Sequence, residues 1–314
     1  MTVLCFIKIT INGDLSGKKH GIQSSKDNNY MDIDEYGYLG KDIKQYKILL
    51  IKKYKEVFNF IEELNHFFNK IKFKIDVKNN DLQGGTMIGL FTKSLTTFQA
   101  IYILYRNYLC NNTENLCRIL FEEMINIAYC SLGKDEAKRY LSLEAIDRLK
   151  KLNKIKYGKN YFSEEERKKY FTKKSYDKRK RELIDHIEKL NLKGLLNEND
   201  KPLAISIEER IKQINSLAIS NYYLSFYSIV SEGVHSSPNI LNRYLIFDEY
   251  GLVKELRWGP IAENCEIYVL FAAIHFMIIN IEYIQKYFKY PKKEDILKYT
   301  EKFQKLGHKY NYFS

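Results

Sequence analysis

Asn221-Tyr-Tyr-Leu-Ser-Phe-Tyr-Ser-Ile-Val-Ser-Glu-Gly-Val-His-Ser-Ser-Pro238 is the stretch on which the reading of the chain turns. At 3.6 residues per turn, Asn221, Ser225, Ser228, Glu232 and His235 stand at i, i+4, i+7, i+11 and i+14, an arc of about 80°. Ser231 adds a further hydroxyl, and Tyr, Leu, Phe, Ile and Val fill the other positions. Such a helix is buried on most sides. Its hydroxyls, carboxylate and imidazole then need partners, because an unpaired buried polar group is costly.

The partner is expected one hundred residues earlier. Glu114 to Leu132 reads as a helix in which Arg118, Glu122 and Asn126 are spaced four apart, with Tyr129 among them. Leu116, Ile119, Leu120, Met124, Ile127 and Ala128 cover the other side. Two nearly buried helices with one polar seam each are most economically placed seam to seam. Asn111-Asn-Thr-Glu114 is expected to be the preceding loop and cap.

The flanking segments also read as helices. Asp42 to about Lys74 has apolar residues at spacings of three and four, and Thr86 to Leu109 is apolar nearly throughout. Lys134 to Tyr157 is amphipathic, a further helix starts near Ser163-Glu-Glu-Glu166 and runs to about Leu190, and Ser206 to Ser216 is short. Ala262 to Phe288 is the last core helix, with His275 read as a core residue, and Lys292 to Leu306 lies on the surface. Residues 244–258, with Gly251 between two apolar runs, have the form of a small β-hairpin. The fold class is therefore an all-α multi-helix bundle with one hairpin. A mobile segment is expected over 1–40 and a single helical domain over 41–314, with a basic excursion at 148–205.

Composition narrows the function classes. The chain has 314 residues and a formal charge of +12. Residues 148–181 hold fifteen Lys/Arg against four Asp/Glu, a net +11, interleaved with Tyr157, Tyr161, Phe162, Tyr170, Phe171 and Tyr176. Either this is a solvated helix face or it meets nucleic acid, where cations contact phosphates and rings stack on bases. Lys178, Arg179, Lys180 and Arg181 are its densest run.

Five cysteines without a CxxC pair read as small core residues of a reducing cytosol, and their spacing excludes a structural zinc site. No segment reads as a signal peptide, and the apolar run Ile267 to Ile279 is short for a bilayer. No phosphate-binding loop, dinucleotide fingerprint, nucleophile elbow or HExxH helix occurs. A cytoplasmic protein without cofactor, metal or membrane is expected, with a homodimer as one assembly.

At Arg118-Ile-Leu-Phe-Glu122 and Val234-His-Ser-Ser-Pro238 the chain resembles a bacterial family of uncharacterised function, over about residues 84–290. Its members share an R-x-L-x-E helix behind a long apolar helix, and a Tyr-rich helix ending in Val-His before a small hairpin. That family is similar to the HEPN superfamily of helical bundles, many of them metal-independent ribonucleases of toxin–antitoxin or antiviral systems. The resemblance implies a histidine of an R-x4-6-H motif at His235. Ser228, Ile229 and Val230 stand where the arginine would be, so Arg118 of the neighbouring helix would take that role.

Two functions follow from these readings. In one, the protein cleaves RNA without a metal. His235 is then general acid/base, Arg118 stabilises the developing charge, and Glu122 and Glu232 orient them, with Asn126, Asn221, Ser228 and Ser231 lining the site. In the other, it is a non-catalytic RNA-binding or protein-interaction module whose seam is structural, Arg118 and Glu122 being a register-fixing ion pair and His235 a helix cap.

Overall fold

The computed structural model describes residues 37–41, 43–157, 163, 165, 173–190, 205–227, 245–256 and 267–313. Residues 1–36 and 228–244 lie outside them, so the expectations for the N-terminal segment and for Ser228, Ser231, Glu232 and His235 do too.

The described chain is a bundle of helices with one two-stranded sheet. Helix α1 spans Ile43–Lys53 and α2 spans Lys55–Lys74. They form one ladder with a bend, since Tyr54 N–H still bonds Leu50 O and Phe58 N–H bonds Tyr54 O. The bend seats the buried Tyr54 ring 5.8 Å from Tyr310. The single helix expected over 42–74 is thus two segments. Val57, Ile61, Leu64, Phe68 and Ile71 form the buried stripe of α2, as their spacing requires.

Helix α3 spans Leu82–Arg106, four residues longer at its start than expected. The cause is Asp81, whose carboxylate accepts Gly84 N–H at 2.8 Å and the Tyr287 hydroxyl at 2.6 Å. A Cβ on Gly84 would come within 2.2 Å of that carboxylate, so the cap needs glycine there.

Helix α4 spans Cys110–Cys130. It starts four residues before the expected start at Glu114, because the turn falls at Asn107–Leu109, where Tyr108 adopts φ +67° and buries its ring against Tyr46. Thr113 is therefore inside the helix, its hydroxyl donating to Cys110 O. Tertiary burial of one tyrosine has outweighed the local capping signal of Asn111 and Thr113.

Helix α5 spans Lys134–Tyr157 and α6 spans Lys173–Lys189. They pack antiparallel: Tyr176 donates to Asn153 near the α5 C-terminal end, while Leu183 and Ile187 meet Ala145 and Ile146. Those residues form a small core separate from the main one. Helix α7, Ile207–Ile214, opens with a full capping box, the Ser206 side chain bonding Glu209 N–H and the Glu209 carboxylate bonding Ser206 N–H. Helix α8, Leu217–Tyr222, passes into a π-helical turn over Tyr223–Tyr227.

Strands β1 (Leu245–Phe247) and β2 (Val253–Leu256) pair antiparallel around a turn with Gly251 at φ +77°, matching the expected hairpin. Helices α9, Tyr268–Phe288, and α10, Lys293–Lys309, complete the bundle. The centre is α3, α4 and α9, where Phe121 lies 5.2 Å from Phe276 and Tyr222 lies 4.9 Å from Phe276 between ring centroids. Both α3 and α9 are long and apolar enough to cross a bilayer by length and composition alone. The apolar stretch of α9 is longer than its sequence suggested, but 78% of it is buried inside the bundle. Cys110 is disulfide-bonded, against the reading of all five cysteines as reduced core residues, while Cys117 and Cys130 are free and buried.

Candidate functional site

The polar seam of α4 exists, and the four-residue spacing places it as expected. Arg118 Nε donates to Glu122 Oε1 at 3.1 Å, and Arg118 Nη2 donates to the Tyr227 hydroxyl at 3.0 Å. That hydroxyl in turn donates to Glu122 Oε1 at 2.9 Å, closing a triangle. The Arg118 guanidinium also lies 4.9 Å from the Tyr227 ring centre, a cation–π distance.

One turn on, Asn126 Oδ1 accepts from Arg210 Nη1 of α7. Arg210 Nε reaches Ser206 O at 3.4 Å, and the residue is only 9% exposed. Arg210 therefore buries a positive charge against neutral oxygens, with Glu122 the carboxylate that supports it electrostatically.

Of the expected partner seam, only Asn221 and Ser225 fall among the described residues. The π-helical turn widens the helix over Tyr223–Tyr227, where the 3.6-residue period does not apply. Ile219, Tyr222 and Phe226 face the core, Tyr227 reaches α4, and Asn221 is exposed. Ser225 returns its hydroxyl to Asn221 O at 2.7 Å. Arg118, Glu122 and Asn126 are thus brought together, and the residues sequence reasoning missed are Tyr227 and Arg210. Arg210 was legible in principle. In Ile207-Glu-Glu-Arg-Ile-Lys-Gln-Ile214 it falls at i+3 between Ile207, Ile211 and Ile214, on the apolar face of its helix.

Electrostatics separate the members of this cluster. Burial, the largest influence on Arg118, opposes its charge, but the Tyr227 hydrogen bond and the Glu122 carboxylate more than compensate and hold its pKa above the ordinary value. Burial dominates at Arg210 and lowers its pKa. Both remain guanidinium cations at neutral pH. Burial also raises the Tyr227 phenol, with Arg118 opposing and Glu122 assisting, so it stays a proton donor. The seam is not sealed, since the Glu122 side chain is 34% exposed and that of Arg118 16%. Arg118 Nη1, however, is buried and has no hydrogen-bond partner among the described residues.

His275 is a core histidine, as expected. Its Nδ1 is hydrogen-bonded to the Tyr222 hydroxyl, which also meets the Tyr312 hydroxyl at 3.3 Å, and Phe303 packs 5.1 Å from its ring. Burial lowers its pKa to about 4, so it is neutral at physiological pH.

Of residues 148–205, 148–157 lie in α5 and 173–189 in α6. Lys178, Arg179 and Arg181 are exposed and Lys180 is half-buried, with Lys178 4.0 Å from Glu182.

Comparison with curated proteins and with solved structures gives no match. A family model matches residues 85–252, more than half of the chain and spanning α3 to the hairpin turn. The chain belongs to the family described as a family of unknown function (DUF5677).

Proposed function

We propose that the protein acts on RNA, binding a backbone phosphate at the seam and holding the flanking strand on α5 and α6. The observation that carries this reading is the charge balance at the seam: among the described residues Arg118 and Arg210 share the Glu122 carboxylate, and Arg118 Nη1 has no partner there. A phosphate oxygen would supply both the missing acceptor and the missing charge, in the geometry guanidinium favours. In this reading the bundle is of the HEPN type and cleaves without a metal. A base withdraws the 2′-hydroxyl proton, the 2′-oxygen attacks phosphorus, and the departing 5′-oxygen takes a proton. His235 is the acid/base group, Arg118 stabilises the phosphorane-like charge, and Glu122 and Glu232 orient them.

The test is incubation of purified protein with labelled total RNA in EDTA. Wild type is expected to cleave, and His235→Ala to cut the rate by roughly a hundredfold with little change in melting temperature. Absence of cleavage by the wild type would contradict the enzymatic reading.

A second reading has its own support. The Arg118–Glu122–Tyr227 triangle satisfies its carboxylate and hydroxyl internally, as a structural seam in a non-catalytic RNA-binding or interaction module would. The first reading and the RNA-binding form of the second place RNA on residues 148–181. Replacing Lys178, Arg179, Lys180 and Arg181 with Ser should flatten a salt dependence whose log–log slope is near −0.7 per phosphate on single strands. Binding that ignores salt would remove nucleic acid from both.

A further inference from the structure

The α5–α6 hairpin is more than a basic surface, because a groove of about 650 Å³ runs between its two helices. Its walls are single helix faces. Glu144, Ala145, Arg148, Lys151 and Leu152 recur at i, i+1, i+4, i+7 and i+8 on α5, and Arg179, Glu182, Leu183 and His186 at i, i+3, i+4 and i+7 on α6. The volume lies in the range of small-ligand sites, which combine apolar lining with a few convergent polar groups.

The floor is apolar. Ala145 and Leu152 are buried, Leu183 is half-buried, and Ile146 and Ile187 pack behind them. The charges on the rim do not cancel. Glu144 is engaged by Arg148 one turn along its own helix, and Glu182 by Lys178 outside the groove. That leaves Lys151 and Arg179 without an acidic partner among the described residues. A groove with an apolar floor and cations at its rim suits a ligand that joins a ring to an anion. Phosphate alone would leave the floor bare, and an apolar ligand would leave Lys151 and Arg179 unused.

We infer that this groove binds one nucleotide unit, its base against Ala145, Leu152 and Leu183 and its phosphate at Lys151 and Arg179. The inference rests on the RNA reading for its source of ligand and goes beyond it by giving the hairpin a site with a shape. A nucleotide within a single strand and a free mononucleotide share this chemistry. A paired base cannot reach the floor, so single strands are bound in preference to duplex.

The experiment uses the full chain and four probes: a labelled ten-nucleotide oligouridylate, the same sequence in a duplex, adenosine monophosphate as competitor, and poly-glutamate as competitor. Wild type is compared with two charge-matched pairs on exposed positions, Lys151→Glu/Arg179→Glu in the groove and Arg181→Glu/Lys189→Glu outside it. The groove pair should weaken oligouridylate by at least tenfold and abolish competition by the mononucleotide, while the outer pair weakens it by no more than about threefold, as general electrostatics would. Equal losses in the two pairs, with no competition by the mononucleotide, would overturn the groove and leave RNA binding standing. Mononucleotide binding lost in the groove pair, from a wild type that ignores both RNA probes, would overturn the RNA reading and keep the groove as a free-nucleotide site. Poly-glutamate competing as well as oligouridylate would overturn the groove in favour of an acidic peptide. A wild type that binds no probe would overturn both.

Discussion

The α3–α4–α9 centre and the α5–α6 hairpin are built from the same kind of amphipathic helix, yet they are stabilised very differently. The centre buries Phe91, Phe98, Phe121, Phe271 and Phe276 in one continuous core. The hairpin has Ala145, Ile146 and Ile187 as its own buried cluster, with Leu183 at the margin. Apolar burial contributes roughly 25 cal/mol per Å², so opening the hairpin alone requires far less free energy than opening the bundle. The region that carries the excess charge is therefore the region with the least core to hold it. Cations spread along α6 repel one another and are costly to bury. Ligand-contacting elements are commonly drawn from the low-stability end of a fold.

The sharpest way to break this comparison is by truncation on each side. Phe121→Ala should destabilise the protein by roughly 3–5 kcal/mol and shift the whole thermal transition. Ile187→Ala should instead speed hydrogen exchange across 134–189 while the global transition moves little. A uniform loss of exchange protection in both variants would mean that the hairpin and centre unfold as one unit.

Acid should reveal the buried side of the centre. His275 has a folded pKa lowered to about 4, below its unfolded value, so its contribution is fully present above about pH 6.5 and is lost as pH falls towards 4. The loss is on the order of 3 kcal/mol across that window. Glu123 and Glu282 act in the opposite sense, because burial raises their pKa values and the folded state takes up protons there more readily. The informative quantity is thus the difference between wild type and His275→Gln. The wild-type curve should fall faster between pH 6.5 and 4, and parallel curves would contradict a neutral buried imidazole.

The seam lies between these extremes. Glu122→Ala should cost about 2 kcal/mol, less than the 3–5 kcal/mol of a fully buried pair, because a third of the Glu122 side chain is in solvent. Chemical denaturation would measure it. No loss would mean that Arg118 and Arg210 need no carboxylate beside them.

Much of the fold was legible because apolar spacing survives packing. The stripe of α2, the seam of α4, the short helix α7 and the hairpin around Gly251 all stand where local pattern put them. What local pattern missed was set at a distance. The start of α4 depends on where Tyr108 is buried, and the start of α3 on a hydroxyl from Tyr287. Tyr227 was missed for a geometric reason, since the π-helical turn over Tyr223–Tyr227 departs from the 3.6-residue period and brings its hydroxyl to Glu122. Arg210 was overlooked because an arginine on a short charged helix reads as solvated, although its place among Ile207, Ile211 and Ile214 marked it as inward-facing.

Among the described residues Arg118 and Arg210 share one carboxylate, and the proposed RNA contact depends on that excess of positive charge. Fluorescence anisotropy of a labelled oligoribonucleotide with wild type and Arg118→Gln, alongside thermal melts, tests this most directly. Removing one of two cations that share a carboxylate should weaken RNA by at least about tenfold, the scale of one charge-assisted contact, and leave the melting temperature nearly unchanged. A variant that melts several degrees lower while binding RNA as tightly as wild type would contradict it, and would make the seam a structural ion pair.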